Sequence, residues 1–194
     1  MRVVLFISMM MLLIGCKEST DEKPIIGIET SHGMVKIELY PDKAPHTVHR
    51  FVQFVERGLF KKSSFYRVMH NFNQPSDTYK ANIIQGGLWR TSAHLKDTLT
   101  GIPHESTKES GLSHTRWTVS LARNEAGTAT TEFFICMDDQ YGYDYGGKNN
   151  EDGLGYAAFG KVIEGYDVLR KIYESPETGQ YFNPPVTIFN IKLL

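Results

Sequence analysis

The chain has 194 residues, enough for one domain or a tight pair. Its 21 Lys and Arg against 22 Asp and Glu leave a net charge of −1, which excludes a partner held mainly through a concentrated basic surface, as nucleic acid is. Hydrophobic residues at 41% with charged residues at 22% exclude global disorder, and two cysteines exclude both a disulfide-stapled scaffold and a Cys-rich zinc site.

In chain order, Arg2 supplies a short positive segment, and Val3 to Ile14 is an apolar run broken only by Ser8. The run suits the core of a signal peptide and falls short of the ~20 residues of a bilayer-spanning helix. It ends in Leu13-Ile14-Gly15-Cys16, which resembles a bacterial lipobox. Residues 1–15 are therefore expected to be a lipoprotein signal peptide, with Cys16 taking the lipid. Residues 16–24, polar and without apolar periodicity, read as a flexible tether, and 25–194 as the folded domain. The expected location is the bacterial cell envelope, on the periplasmic side or at the outer membrane. Cys136 is then the lone thiol of an oxidising compartment. In the apolar run Phe133-Phe134-Ile135-Cys136-Met137 it reads as a small buried hydrophobe rather than a nucleophile.

Ile25–Thr30 and Met34–Leu39 are β-biased runs around the turn Ser31-His32-Gly33, a hairpin signature. Pro41 and Pro45 stop the second run. Thr47 is the expected cap of a helix whose Val48, Phe51, Val52, Phe54 and Val55 share one face, and Gly58 ends it. Ser64–Met69 predicts a strand, Asn73–Asn82 with Pro75 a surface loop, and Ile83–Gly87 a strand turning at its two glycines. Further strands are expected over Trp117–Ala122, Glu132–Met137, Ala157–Val162 and Val186–Leu193, with a second helix over Tyr166–Tyr173. Many short strands with Gly and Pro punctuation point to a mainly β, antiparallel barrel rather than an α/β fold.

The familiar signatures of covalent and metal catalysis are missing: no Gly-x-Ser-x-Gly, no phosphate-cradling Gly-rich loop and no His-Glu-x-x-His. His46 and His49 are three apart, but no third ligand is placed to complete a metal site, so they read as solvated histidines on a helix flank. What the sequence offers instead is an ordered series of aromatic and apolar fragments around one arginine: Phe65-Tyr66-Arg67-Val68, Phe72, Ile83-Ile84-Gln85-Gly86-Gly87, Ala122-Arg123, Thr131-Glu132-Phe133-Phe134-Ile135 and Tyr156-Ala157-Ala158-Phe159-Gly160-Lys161-Val162. In order and spacing this series resembles the cyclophilin family of peptidyl-prolyl cis–trans isomerases, from about Ile25 to Leu194.

The resemblance implies a closed antiparallel β-barrel of about eight strands capped by two α-helices. It also implies an isomerase acting on proline-containing polypeptides, without cofactor or metal. By resemblance Arg67 is the catalytic arginine. Phe72, Ile83 and Phe134 form the pocket for the proline ring, and Gln85 orients the arginine or the substrate backbone. The backbone at Ala122 and Arg123 hydrogen-bonds the substrate, and Tyr156 stands where many members have His. Glu132 stands where the family usually has Gln, and if it faces the groove it is placed to pair with Arg67 or to discourage acidic substrates. No tryptophan occurs between Tyr141 and Tyr156, where cyclosporin-sensitive members carry one; Leu154 is the nearest apolar substitute, and weak inhibition by cyclosporin is expected. Nothing in the chain demands a dimer, so a monomer is expected. The alternative reading is a module that binds proline segments, or a chaperone, with little turnover.

Overall fold

The computed structural model describes residues 23–75, 79–96 and 98–194. The proposed signal peptide, Cys16 and most of the tether lie outside the described residues. Among the described residues, nine strands form one antiparallel sheet: β1 (Ile25–Thr30), β2 (Gly33–Leu39), β3 (Ser63–Met69), β4 (Ile83–Gly87), β5 (Thr118–Leu121), β6 (Phe133–Cys136), β7 (Ala157–Glu164), β8 (Glu177–Thr178) and β9 (Tyr181–Leu193). Their spatial order is β1-β2-β7-β5-β6-β4-β3-β9, and β9 pairs again with β1, so eight strands close into a barrel with no free edge. The short β8 is an outlying partner of β9.

Among the described residues there are four α-helices: α1 (Pro45–Glu56), α2 (Ala93–Lys96), α3 (Thr107–Ser110) and α4 (Tyr166–Tyr173). The long α1 and α4 are the two expected from apolar periodicity. The other two are single turns, too short to carry such a period; α3 is instead fixed by a capping box between Ser106 and Glu109. The start of α1 corrects the expected cap. Ala44 is the N-cap residue, and Thr47 lies inside the first turn with its hydroxyl buried and unpartnered. The first-turn amides of His46 and Thr47, which have no partner within the helix, donate to the Glu105 carboxylate at 3.0 and 2.8 Å. A remote carboxylate thus supplies the acceptor and complements the helix dipole.

The barrel interior is apolar and rich in aromatic rings. α1 lowers Phe51 among Phe60, Phe133 and Phe159, with ring centroids 5.0–5.8 Å apart. Phe65 meets Phe133 edge-on at 5.7 Å. On β3, Phe65 and Val68 both belong to this core although they are three residues apart. A β-bulge between Phe65 and Arg67 reconciles this with the strand period of two: Tyr66 is the extra residue, and both Tyr66 and Arg67 face the outside of the barrel.

Candidate active site

On that outer face the register aligns four residues from neighbouring strands. Tyr181 of β9 stands opposite Arg67 of β3, Arg67 opposite Gln85 of β4, and Gln85 opposite Phe134 of β6. They line one cavity of about 340 Å³, together with Tyr66, Met69, Ile83, Trp89, Ala122, Arg123, Glu132, Tyr143 and Tyr156 among others.

One part of the cavity is apolar. Phe134 (2% exposed), Ile83 and Tyr143 belong to a second buried cluster outside the barrel core, with Met69, Ala122 and Tyr156 packed against it. Phe134, Tyr143 and Tyr156 meet edge to face at 4.9–5.4 Å, which leaves a walled seat for a compact apolar ring. Strand alternation separates the two rings of β6: Phe133 enters the barrel core and Phe134 faces the groove.

The seat is braced from behind. His114, fully buried, stacks on Phe134 at 5.8 Å, and its Nδ1 lies 2.6 Å from Asp144 Oδ1 while Nε2 lies 3.0 Å from Ser120 Oγ. Burial alone would raise the Asp144 pKa, but hydrogen bonds from His114 and Ser113 outweigh it and hold the carboxyl below its usual value. The ionised carboxylate only accepts, so Nδ1 donates to it. The Ser–His–Asp order resembles a nucleophilic triad, yet Ser120 is completely buried, so the array supports the pocket rather than reacting. Burial likewise pushes the Cys136 thiol up, away from the reactive thiolate.

Arg67 lies at the centre, held by two networks. Its Nε and Nη2 donate to Gln180 Oε1 at 3.1 and 2.6 Å, and Nη1 donates to Gln85 Oε1 at 3.4 Å. Gln85 Nε2 donates to the Tyr66 hydroxyl at 2.7 Å, and that hydroxyl donates to Glu132 at 2.6 Å. On the other side Gln180 Nε2 donates to the Asn73 carbonyl, and the Asn73 amide donates to Glu177, which also meets His70 at 2.7 Å. Burial, and then the neighbouring Glu132 charge, push the Tyr66 phenol far above its ordinary pKa, so it stays a donor.

Glu132 is placed in the groove wall, only 9% exposed. Besides Tyr66 it accepts from the amides of Leu88 and Trp89 at 2.8 and 3.2 Å and from the Thr131 hydroxyl at 3.1 Å, binding the chain that follows β4. Gly87 makes room for it: a Cβ there would stand 2.6 Å from a carboxylate oxygen, and its φ of +142° suits only glycine. The Arg123 side chain is fastened to the adjoining loop. It donates to Asp152 at 2.7 and 2.9 Å and to the Gly155 carbonyl, and lies over the Tyr156 ring at 5.4 Å. These bonds depress the Asp152 carboxyl to about 2.

Two sequence-based assignments are corrected. Phe72 does not line the pocket: after His70 the chain leaves the sheet in a turn closed by the His70 amide on Asn73 Oδ1. The Phe72 ring ends 95% exposed beside His70. Leu154 also lies outside the pocket lining, on the loop fastened by Arg123; Tyr143, from the 3₁₀ turn Tyr141–Tyr143, occupies the wall instead. The remaining candidates, Arg67, Gln85, Phe134, Ile83, Ala122, Arg123, Glu132 and Tyr156, are brought together. Sequence reasoning missed Met69, Tyr143, Gln180, Trp89 and Tyr181. Met69 was within reach, being two residues from Arg67 on the same strand; Gln180, 113 residues from Arg67, gives no local signal.

Barrel and pocket together define a class, and comparison with known proteins agrees. A family model described as cyclophilin type peptidyl-prolyl cis-trans isomerase matches residues 25–193. The chain is 33% identical over 175 residues to a peptidyl-prolyl cis-trans isomerase of Acinetobacter baylyi, covering 87% of this chain and 85% of that one. It is also 33% identical over 149 residues to peptidyl-prolyl cis-trans isomerase B of Escherichia coli, covering 76% and 83%. A cyclophilin-type isomerase from Cryptosporidium parvum, solved in the presence of the dipeptide Ala-Pro, shares the fold at a TM-score of 0.67 and 20% identity, over 88% of this chain and 98% of that one. The chain belongs to the cyclophilin-type peptidyl-prolyl cis–trans isomerase family. Its activity is the isomerisation of X-Pro peptide bonds.

Proposed function

We propose that this isomerase works on proline-containing segments of envelope proteins while tethered to a membrane through a lipid on Cys16, with Arg67 as its central catalytic residue. Rotating an amide crosses a barrier of ~18–20 kcal/mol because resonance is lost at the perpendicular geometry. Uncatalysed X-Pro exchange takes tens to hundreds of seconds, so ordinary turnover requires removal of about 4–7 kcal/mol.

No covalent step is needed. The proline ring sits against Phe134, Ile83, Met69, Tyr143 and Tyr156, and the backbone near Ala122 and Arg123 holds the neighbouring chain. As the amide twists, its nitrogen becomes pyramidal and regains a lone pair, toward which the Arg67 guanidinium donates. A guanidinium already fixed by Gln180 and Gln85 needs no reorganisation at that moment, which favours the twisted form over either planar one. The observation carrying this reading is the placement of Arg67 beside an apolar seat in a single cavity.

The seat is tested by Phe134→Ala in an X-Pro exchange assay, with KM expected to rise and melting temperature recorded alongside. Unchanged KM in a folded variant would remove Phe134 from the site. The tether is tested by fractionating cells expressing the full chain: wild type is expected with membranes and Cys16→Ser in the soluble fraction. Equal distribution of the two would reject the lipid anchor.

A further inference from the structure

The wall of the cavity beyond Arg67 carries features that the proline seat does not use. Trp89 and Tyr181 are each 40% exposed, with ring centroids 5.8 Å apart and planes 33° from parallel. Trp89 also packs on Tyr66 at 5.1 Å, and Tyr181 is the cross-strand neighbour of Arg67. The Arg90 guanidinium lies 4.9 Å from the Trp89 ring centroid and 5.3 Å from that of Tyr181. Among the described residues it has no carboxylate within ion-pair distance. Both rings line the same cavity as Arg67 and Phe134.

We propose that Trp89 and Tyr181, edged by Arg90, form a second subsite that takes an aromatic side chain of the polypeptide whose proline occupies the Phe134 seat. The proposal rests on the assignment of that seat given above. Two clustered, half-open rings on the rim of a binding cavity offer apolar area that folding has left unburied, and a flat ring buries the most of it at the least rotamer cost. Arg90 adds a cation for the face of an incoming ring.

The register also sets a distance. Tyr181 and Phe134 stand three strand spacings apart, about 14 Å at ~4.8 Å each. An extended chain rises ~3.3 Å per residue, and side chains reach inward from both ends. The aromatic residue therefore falls about two to four positions from the proline.

The test is a set of Ala-rich X-Pro peptides with a single Phe placed at each of these positions, on either side of the proline. Each is compared with its all-Ala parent by the ratio of kcat/KM values, so that differences in the activity of a variant cancel. For wild type one position is expected to favour Phe by about three- to tenfold, the size of one aromatic pair. In Trp89→Ala and Tyr181→Ala the ratio should fall toward unity. The chain has two tryptophans, and the preferred peptide should alter the emission of wild type but not of Trp89→Phe, in which only Trp117 remains. Ratios near unity for wild type at every position would overturn the proposal, as would a preference that both variants retain. A stronger preference for Asp than for Phe would overturn it too, in favour of Arg90 as an anion contact. Failure of wild type to accelerate exchange of any peptide would instead overturn the underlying seat assignment.

Discussion

Replacing Gln180 by Leu removes the acceptor of two of the three side-chain hydrogen bonds holding the Arg67 guanidinium, the shorter of them 2.6 Å. Leu keeps most of the volume, and the proline seat is formed by other residues, so substrate binding should change little. What is lost is preorganisation. A long charged side chain released to solvent regains up to about 1.5–2 kcal/mol of rotamer entropy, which must be given up again when the amide twists. Fully released, Arg67 would slow the reaction by about ten- to thirtyfold. The 3.4 Å bond to Gln85 retains part of the constraint, so the expected fall in kcat is about five- to twentyfold with KM within about twofold. Exchange spectroscopy on an X-Pro peptide measures both constants. Gln180→Glu, which keeps the acceptor, should recover most of the rate. An unchanged kcat in Gln180→Leu, or a loss carried wholly by KM, would refute the view that Gln180 positions the arginine.

Other expectations concern the scaffold and the pocket. Phe51→Ala empties the aromatic plug of the barrel and should cost about 3–5 kcal/mol, lowering Tm by about 6–20 °C in thermal denaturation. Asp144→Asn weakens the charged acceptor of His114 and Ser113 and should cost about 1.5–3 kcal/mol by denaturant titration. Because the folded Asp144 pKa lies below its unfolded value, this contribution is complete above about pH 4 and disappears as pH falls through the folded value. The difference between wild type and variant should therefore be full at neutrality and shrink in acid. Cyclosporin should inhibit weakly, since the wall between Tyr141 and Tyr156 lacks tryptophan; sub-micromolar inhibition in the exchange assay would contradict this.

Most of the barrel was legible because its strands are β-branched or aromatic runs, several of them bounded by Gly or Pro, and because α1 and α4 each carry an apolar face on a helical period. The exception is β9, which starts at Tyr181 and runs through Pro184-Pro185, where local pattern reads a stop before Val186. The cap of α1 was not, since its acceptor, Glu105, lies 59 residues beyond the first amide it serves. The site divides in the same way. Arg67, Gln85 and Phe134 stand in contiguous strand motifs, and pairing brings them into one row. Phe72 misled because a ring two residues beyond the strand end is governed by the turn at His70–Asn73, which local pattern does not determine. The bulge at Tyr66 was invisible for a related reason: periodicity assigns every second residue of β3 to one face, whereas the extra residue sets Tyr66 and Arg67 together on the other. Trp89 and Tyr181 enter the cavity, and Gln180 reaches Arg67, through loop geometry and the β3–β9 pairing, neither of which has a local signature.

The most direct test of the account is X-Pro exchange catalysed by residues 23–194 beside the Arg67→Ala variant, both checked for native folding. A fixed charged donor acting on the twisted amide predicts a fall in kcat of about a hundredfold or more on its removal, with peptide binding largely kept. A folded Arg67→Ala protein that isomerises at the wild-type rate would contradict the mechanism.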